Sequence, residues 1–385
     1  MIVVQKYGGS SVADVERLGR VADKIVETRK LGEDVVVVVS AMGGTTDQLL
    51  ALARQVDPSP PHRELNMLLT TGERVSMALL SMAIQKRGCD AISFTGSQSG
   101  IMTNDRHFDA RIIEVRPWRI EDELARGRIV IVAGYQGMSY KREITTLGRG
   151  GSDTTAIALA AALGADRAEI YSDVDGVYSA DPRVVPQARH LPELSYEQMQ
   201  EMAEAGAKVL NSTAVEFARR ARIAIHARST FAAGRETVVR GDGGAAIAVV
   251  GRRDLASLAL DGGAQELAAA LKQAEELGAS VREAMLENGQ ATLLISTGSP
   301  DWDAARAKLA AATRGRWTVG LGTASVIAAD LASTPGLVAR ALGALAREGV
   351  TAGAVSSSPL RLSVLLAAEH VDRAVRVLHA ELVGA

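Results

Sequence analysis

The first 230 or so residues alternate between short β-branched runs and longer stretches of helical spacing. Ile2–Gln5 reads as a strand, and Val12, Val15, Leu18, Val21, Ile25 and Val26 then recur at the spacing of a helix buried on one face. Val35–Val39 is an unbroken valine run, apolar on both faces, as a central parallel strand requires. Pro58–Pro61 breaks the chain, and a helical region follows from Glu64 to Lys86, interrupted at Thr70–Arg74. Ala91–Phe94, Arg111–Val115, Ile129–Ala133 and Ala168–Tyr171 read as strands, Ala156–Leu163 as a helix, Ser195–Arg220 as helical, and Ile223–Arg228 as the last strand of this region.

Residues 232–245 read as a glycine-rich linker. Beyond it the order strand, helix, strand, strand, helix occurs twice: Ser257–Leu260, Ala264–Leu277, Val281–Met285, Thr292–Ile295 and Trp302–Ala311, then Ala324–Ala328, Gly336–Arg347, Thr351–Val355, Leu362–Leu366 and Val371–Leu382. Two small ferredoxin-like modules are the simplest arrangement. The expected organisation is an α/β region over 1–231, the linker, and modules over 246–315 and 316–385.

The loops after the strands carry the candidate chemistry. Thr145–Thr155 combines three glycines with Arg149, Ser152 and Asp153 ahead of an Ala-rich helix. Glycines let a ligand approach the backbone, and a helix N-terminus attracts anions. Lys6–Ser11 is a glycine turn led by a lysine, without the Gly-Lys-Ser/Thr order of a P-loop. Ser40–Asp47 is a third polar glycine loop; in open parallel sheets such loops share the rim where ligands bind. Glycine within Thr70–Arg74 costs about 1 kcal/mol in mid-helix, which leaves a break where Glu73 faces a ligand or a surface Glu73–Arg74 pair. Ser172–Tyr178, closed by Asp181–Arg183, could hold a metal or a ribose, or form an Asp-rich turn.

Composition narrows this further. The chain has 385 residues, too many for one core; its 47% apolar content but only 3% aromatics calls for aliphatic cores. A net charge of −2 gives no electrostatic case for nucleic acid or an anionic membrane. Cys89 is the only cysteine, so no intrachain disulfide forms and a reducing, cytoplasmic setting is expected. His and Cys show no zinc spacing, and no unbroken apolar run approaches a membrane span.

Taken together, Lys6–Ser11, Thr70–Arg74, Thr146–Thr155 and Ser172–Tyr178 resemble the signatures of bacterial aspartate kinases, an amino-acid-kinase domain followed by two ACT domains. The resemblance is strong through Phe231 and looser afterwards. It implies an open, mostly parallel sheet between helices, ATP and Mg²⁺ as cofactors, and ATP-dependent phosphorylation of the β-carboxylate of L-aspartate. That reaction opens the biosynthesis of lysine, threonine and methionine. It implies Lys6 and Asp153 as catalytic residues, Asp153 organising Lys6 and the metal-bound phosphates. Thr46, Glu73, Arg149, Gly150, Gly151 and Ser152 are implied for aspartate, with Arg149 on the α-carboxylate and Glu73 on the ammonium. Lys6, Tyr7, Gly8, Gly9, Ser40, Ser172, Asp173, Tyr178, Arg183 and Lys208 are implied for ATP. No protein side chain is assigned to the metal, and a homodimer or higher homo-oligomer through the ACT modules is expected. Two other readings stay open: a kinase of this fold acting on another acidic amino acid such as glutamate, and an amino-acid sensor with an inactive kinase domain.

The chain departs from the family in the first module. The Pro-Gly turn between first strand and helix is here Asp261-Gly262-Gly263-Ala264, and the Gln-Asn pair after the next strand is absent from Glu283–Asn288. The second module keeps Thr334-Pro335-Gly336. An amino-acid pocket needs fixed partners for both its charges, so a weak response to lysine and threonine is expected. The competing expectation is a pocket rebuilt from Asp261 and Asn288.

Overall fold

The fold is taken from a computed structural model, which describes residues 1–384 apart from Phe108, Arg149, Ala233, Ala245, 299–301, Arg314 and Asp330, and the backbone alone of Ala332. The chain forms two compact units. The first comprises 1–177, 190–203 and 208–245; the second comprises 178–189, 204–207 and 246–385. The second unit therefore takes two segments from the region expected to be kinase alone.

The first unit is built on an eight-stranded sheet in the order Glu193–Leu194, Glu236–Val239, Ile225–Ser229, Arg167–Ser172, Ile2–Tyr7, Asp34–Val39, Ile129–Ala133, Ala91–Phe94. From Ile225–Ser229 onward every pairing is parallel. Val35 to Val39 are all fully buried, as a run apolar on both faces predicts. At about 1.5–3 kcal/mol per buried valine, they are a main anchor of the sheet. On one face Val3, Tyr7, Val35, Val37 and Val39 pack with Leu18, Val21, Ile25, Leu80 and Ile84. The helix Gly151–Leu163 packs on the strands Ile2–Tyr7, Asp34–Val39 and Arg167–Ser172; Ala156, Ile157, Ala158, Leu159 and Ala160 are all buried.

A separate four-stranded sheet runs Ile112–Val115, Ile101–Thr103, Gln136–Ser139, Ile144–Thr146. Three of these strands escape the sequence pattern. They are short and lack apolar alternation, so nothing local marks them. The helical region at Ser195–Arg220 is corrected to two helices, Tyr196–Ala205 and Ser212–Ala221. Gly206 takes φ 122° after the first, and Asn211 caps the second through Thr213 and Ala214 N–H. The region Glu64–Lys86 is likewise two helices, His62–Leu69 and Thr71–Gln85, with Thr70 between them. Together these span 24 residues and are apolar enough for a membrane by length and composition, yet they are half buried and include the buried Asn66 and Glu73.

In the second unit the strand–helix order appears as expected, but the division at 315/316 does not match the cores. Two long antiparallel strands, Ala248–Asp261 and Arg316–Ile327, are each shared between both cores. Ala248–Arg252 pairs with Thr323–Ile327, and the register then shifts. Val249, Ala324 and Val326 enter one core with Leu345, Leu362, Leu366 and Leu378. Leu258 and Leu260 enter the other with Ala270, Leu293, Ile295 and Leu309, and Trp317 packs there edge-on to Trp302 at 5.5 Å. The modules thus interleave in one six-stranded sheet rather than following each other as two four-stranded ones. The cause is strand length: each long strand outruns one module and begins the next.

Candidate active site

The parallel strands bring their C-terminal ends, and the loops after them, to one rim. Lys6 lies one residue from the end of the first strand, and its Nζ is 2.7 Å from Asp153 Oδ1. Asp153 sits in the buried first turn of the helix Gly151–Leu163, with Ser152 and Thr154 beside it. Gly150, at φ 73°, turns the chain into that helix in a conformation that side chains rarely adopt. The lysine and the helix start are therefore one charged assembly, set by the sheet on one side and the helix on the other. Glycines permit its tight packing. A Cβ on Gly9 would stand 2.8 Å from the carbonyl oxygen of Ala41, and one on Gly134 would stand 2.7 Å from Ser152 Oγ. We expect Gly9→Ala to push the lysine loop off the Ser40–Gly44 loop. Overpacking of this kind costs about 1–3 kcal/mol, so activity in a steady-state assay should fall roughly 5- to 100-fold; unchanged activity would show that the two loops need not touch.

Glu73 lies within the helix Thr71–Gln85 and is buried, 3% exposed. Its Oε1 accepts from Ala41 N–H at 3.2 Å, while Oε2 is buried without a hydrogen-bond partner among the described residues. Burial pushes its carboxyl up from its ordinary value to about 7. The glycine ahead of it is explained by the same contact: a Cβ on Gly72 would meet Ala41 Cβ at 2.8 Å. The helix is brought against the Ser40–Gly44 loop, and Glu73 becomes a buried carboxylate with one oxygen unused. Such a group suits a cationic ligand. The reading of Glu73 as a surface partner of Arg74 is thereby overturned. Thr46 is half-buried in the first turn of the helix Thr45–Val56, and Ser40 N–H donates to Tyr7 O at 3.1 Å.

The amino acid kinase family pattern matches residues 1–229, and an ACT domain pattern matches 325–382, a span that opens within the strand half entering the core of Leu345 and Leu362. An aspartokinase of Mycolicibacterium smegmatis is 46% identical across 98% of this chain and 95% of its own length. That of Corynebacterium glutamicum is 44% identical over the same shares. This chain belongs to the aspartokinase family. The crystal structure of E. coli aspartokinase III in complex with aspartate and ADP (R-state) superposes with a TM-score of 0.86 at 27% identity, covering both chains completely. The same enzyme in complex with lysine and aspartate (T-state) gives 0.72 at 26% identity, covering 99% of each chain.

The other aspartokinase residues singled out from the sequence distribute unevenly. Gly8 N–H donates to Tyr171 O at 3.2 Å, placing that turn beside the strand that ends in Ser172. Ser172 O accepts from Thr230 N–H, and Asp173 is exposed. Both line a cavity of about 390 Å³ with Ser10, Ser11, Arg17, Ser229 and Phe231. Ser10 and Ser11 belong to the lysine motif, but Arg17, Ser229 and Phe231 carry no sequence signal of their own; only the fold gathers them. Lys208 is exposed in the first unit. Tyr7 is corrected. Its side chain is fully buried, stacks on Tyr171 at 4.8 Å and bonds Gln5, so only its backbone reaches the rim. Tyr178 and Arg183 belong to the second unit, where Arg183 makes a two-point contact with Asp181. Arg149 lies outside the described residues. Two residues were missed. Asn211 packs against Gly150, where a Cβ would approach its own Cβ to 2.8 Å. Tyr135 holds an unusual φ of 68° while its N–H donates to Thr155 Oγ1. Positive φ on a tyrosine leaves no trace in composition.

Proposed function

We propose that Lys6 and Asp153 carry the charge stabilisation of phosphoryl transfer from ATP to aspartate, and that Glu73 receives the aspartate ammonium group. The single observation that carries this is the pairing of a 2.7 Å Lys6–Asp153 contact at a helix start with a buried, half-satisfied Glu73 against the neighbouring loop. The nucleophile is the substrate's own β-carboxylate, ionised near pH 7 since its pKa is about 3.9. One carboxylate oxygen attacks the γ-phosphorus, the bond to the β,γ-bridging oxygen breaks, and ADP leaves with that electron pair. No enzyme base is required; positioning and charge stabilisation are. Lys6 neutralises charge on the transferring group, and Gly8 and Gly9 let backbone amides approach the phosphates. Thr46, Gly150, Gly151, Ser152 and Arg149 are proposed for aspartate, and Ser40, Ser172, Asp173 and Lys208 for the nucleotide; Tyr178 and Arg183, expected for the nucleotide from the sequence, lie in the second unit. Among the described residues no cluster of three or more metal-ligating side chains exists. Mg²⁺ would fit as the companion of ATP: Asp153, beside Lys6, is the carboxylate that would face it, and the ion would supply further charge neutralisation there.

Substrate choice is tested by a hydroxamate assay across aspartate, glutamate and acetylglutamate. An extra methylene is worth only about 1–3 kcal/mol, so aspartate should lead by roughly 5- to 150-fold. Absence of turnover with all three would favour the sensor reading. We place the reaction in the reducing cytoplasm on the strength of the single Cys89.

The catalytic region is proposed to end near 231 and the regulatory modules to occupy the rest, interleaved as described. Val281–Glu287 and Ala354–Ser357 form the two edges of the six-stranded sheet. Such edges invite pairing, so we expect a homodimer or larger homo-oligomer through this unit; a monomer by light scattering at micromolar concentration would contradict it. The turn that departs from the family is already occupied by internal contacts. Gly263 N–H donates to Glu266, Arg316 faces Asp261 at 3.4 Å, and Asn288 takes φ 49° in a hairpin turn. We therefore expect lysine and threonine, alone or together, to change the initial rate by less than about two-fold at 1 mM, the spare charged partners being absent. Strong inhibition below that concentration would mean that the pocket is rebuilt from other residues.

A further inference from the structure

We propose that Tyr135 is a specificity-determining residue: its ring sets the length of the acidic substrate that fits between Glu73 and the start of the helix Gly151–Leu163. This rests on the reading of those two places as the ammonium end and the phosphoryl end of the site. Every residue invoked lies within the first unit.

Tyr135 follows Gly134 just past the strand Ile129–Ala133 and holds φ 68°, a conformation that a tyrosine rarely adopts. Its N–H donates to Thr155 Oγ1 at 3.1 Å, and its carbonyl accepts from Leu147 N–H at 2.9 Å. Both partners belong to the helix Gly151–Leu163 or to the loop that leads into it. The residue is pressed against the helix start: a Cβ on Gly151 would stand 3.3 Å from Tyr135 Cα and 3.1 Å from its Cδ2. Glycine would take this φ without strain. A tyrosine kept there is held by its surroundings, and strain of this kind gathers at ligand sites.

The ring is anchored at its other end as well. It packs against the cluster of Ala53, Leu65 and Leu69. Burial raises the pKa of its hydroxyl, the Thr146 hydroxyl beside it lowers it, and the Glu73 and Asp109 carboxylates raise it, so the phenol stands among these groups. Thr146 is fixed in turn, its Oγ1 donating to Oδ1 of the fully buried Asn66 at 3.0 Å. One rigid side chain therefore runs from the first residue of the helix that carries Asp153 to the neighbourhood of Glu73. The Oε2 of Glu73 is buried there without a hydrogen-bond partner among the described residues. An acid whose ammonium meets Glu73 and whose side-chain carboxylate reaches the Lys6–Asp153 pair lies along this ring. Glutamate, longer by one methylene, would have to buckle against it.

The test is the hydroxamate assay on the full-length chain, with kcat/KM measured for aspartate and for glutamate and the KM for ATP measured separately. Tyr135→Ala should lower the aspartate-to-glutamate ratio of kcat/KM by about fivefold or more, since one methylene is worth roughly 5- to 150-fold. It should leave the KM for ATP unchanged. Tyr135→Phe keeps the ring and should keep the ratio of the parent enzyme. If Tyr135→Ala does not fold, Tyr135→Leu, which still offers an apolar group to Leu65 and Leu69 but lacks the ring, carries the test with the same expectation. An equal loss with both acids, an unchanged ratio, or a fall in Tyr135→Phe as large as that in Tyr135→Ala would overturn the proposal. Glu73→Gln is measured alongside. If it raises the KM for aspartate while the Tyr135 variants leave the ratio unchanged, only the length-setting role fails. If it leaves the KM for aspartate unchanged, the reading of the site fails and the inference falls with it.

Discussion

Replacing Lys6 with alanine should lower kcat by about 10³-fold or more while leaving the protein folded. Lys6 is paired at 2.7 Å with Asp153 and is not itself a core residue. Removing one preorganised charged group aimed at a transition state costs roughly 10²–10³ in kcat, and phosphoryl transfer depends almost wholly on such groups. The loss should be larger here because Asp153 is then left buried without its cation. Its charge would face the incoming phosphates without compensation. Asp153→Asn should lose less, since Lys6 remains to meet the phosphates. Circular dichroism and thermal unfolding establish that the fold persists; stopped turnover establishes the role. Near-normal kcat in folded Lys6→Ala protein would remove it from the mechanism. Lys6→Arg separates charge from geometry, because a guanidinium is not a substitute for a compact ammonium.

Glu73→Gln should raise the KM for aspartate by about 10- to 100-fold, the worth of one charged hydrogen bond, and should at the same time stabilise the unliganded fold. The sign of the second effect follows from burial. The folded carboxyl titrates at about 7, above its ordinary 4.5. Between those two values the folded protein keeps a proton that the unfolded chain has released. Stability therefore falls as pH rises from about 4.5 to 7 and is level above that. The accumulated cost at pH 8 is on the order of 3 kcal/mol, which glutamine avoids. Thermal melts of both proteins at pH 5 and pH 8 should show the variant ahead only at the higher pH. Kinetics supplies the complementary readout. Ammonium recognition needs the ionised carboxylate, so kcat/KM for aspartate should fall about tenfold from pH 8 to pH 6, with the fall absent in Glu73→Gln. A flat profile in the parent enzyme, or an unchanged KM in the variant, would remove Glu73 from the aspartate site.

These two residues also show where the sequence was informative and where it was silent. Lys6 stood out because its surroundings are local: a strand, a glycine turn and a helix follow each other within a few residues, a pattern that by itself reads equally as a tight turn with a solvated lysine. The burial of Glu73, which the resemblance alone placed at the ammonium, was not written locally, because it comes from a loop some thirty residues away, and a Glu-Arg dipeptide reads equally well as a solvated pair. The residue types in Gly72-Glu73 made sense only once Ala41 was seen against both. Tyr7 failed in the opposite direction. It sits inside a motif, yet strand alternation sends its side chain to the face away from Lys6, into the core with Tyr171.

The alternation of β-branched runs and helical spacing determined, without any structure, that a parallel sheet with glycine loops on one rim precedes two strand–helix repeats. Those features are written in periodicity, which burial of one face or of both imposes directly on residue choice. Tertiary structure alone decided which loops touch, which carboxylate loses its solvent, and how the repeats share strands. The 14-residue strand Ala248–Asp261 serves two cores because its partner Arg316–Ile327 crosses both, and no local pattern can report where a strand's partner ends. Likewise 178–189 reads as a loop of the first region and packs as part of the second unit, since a short stretch is drawn to whichever core can bury its alanines and valines.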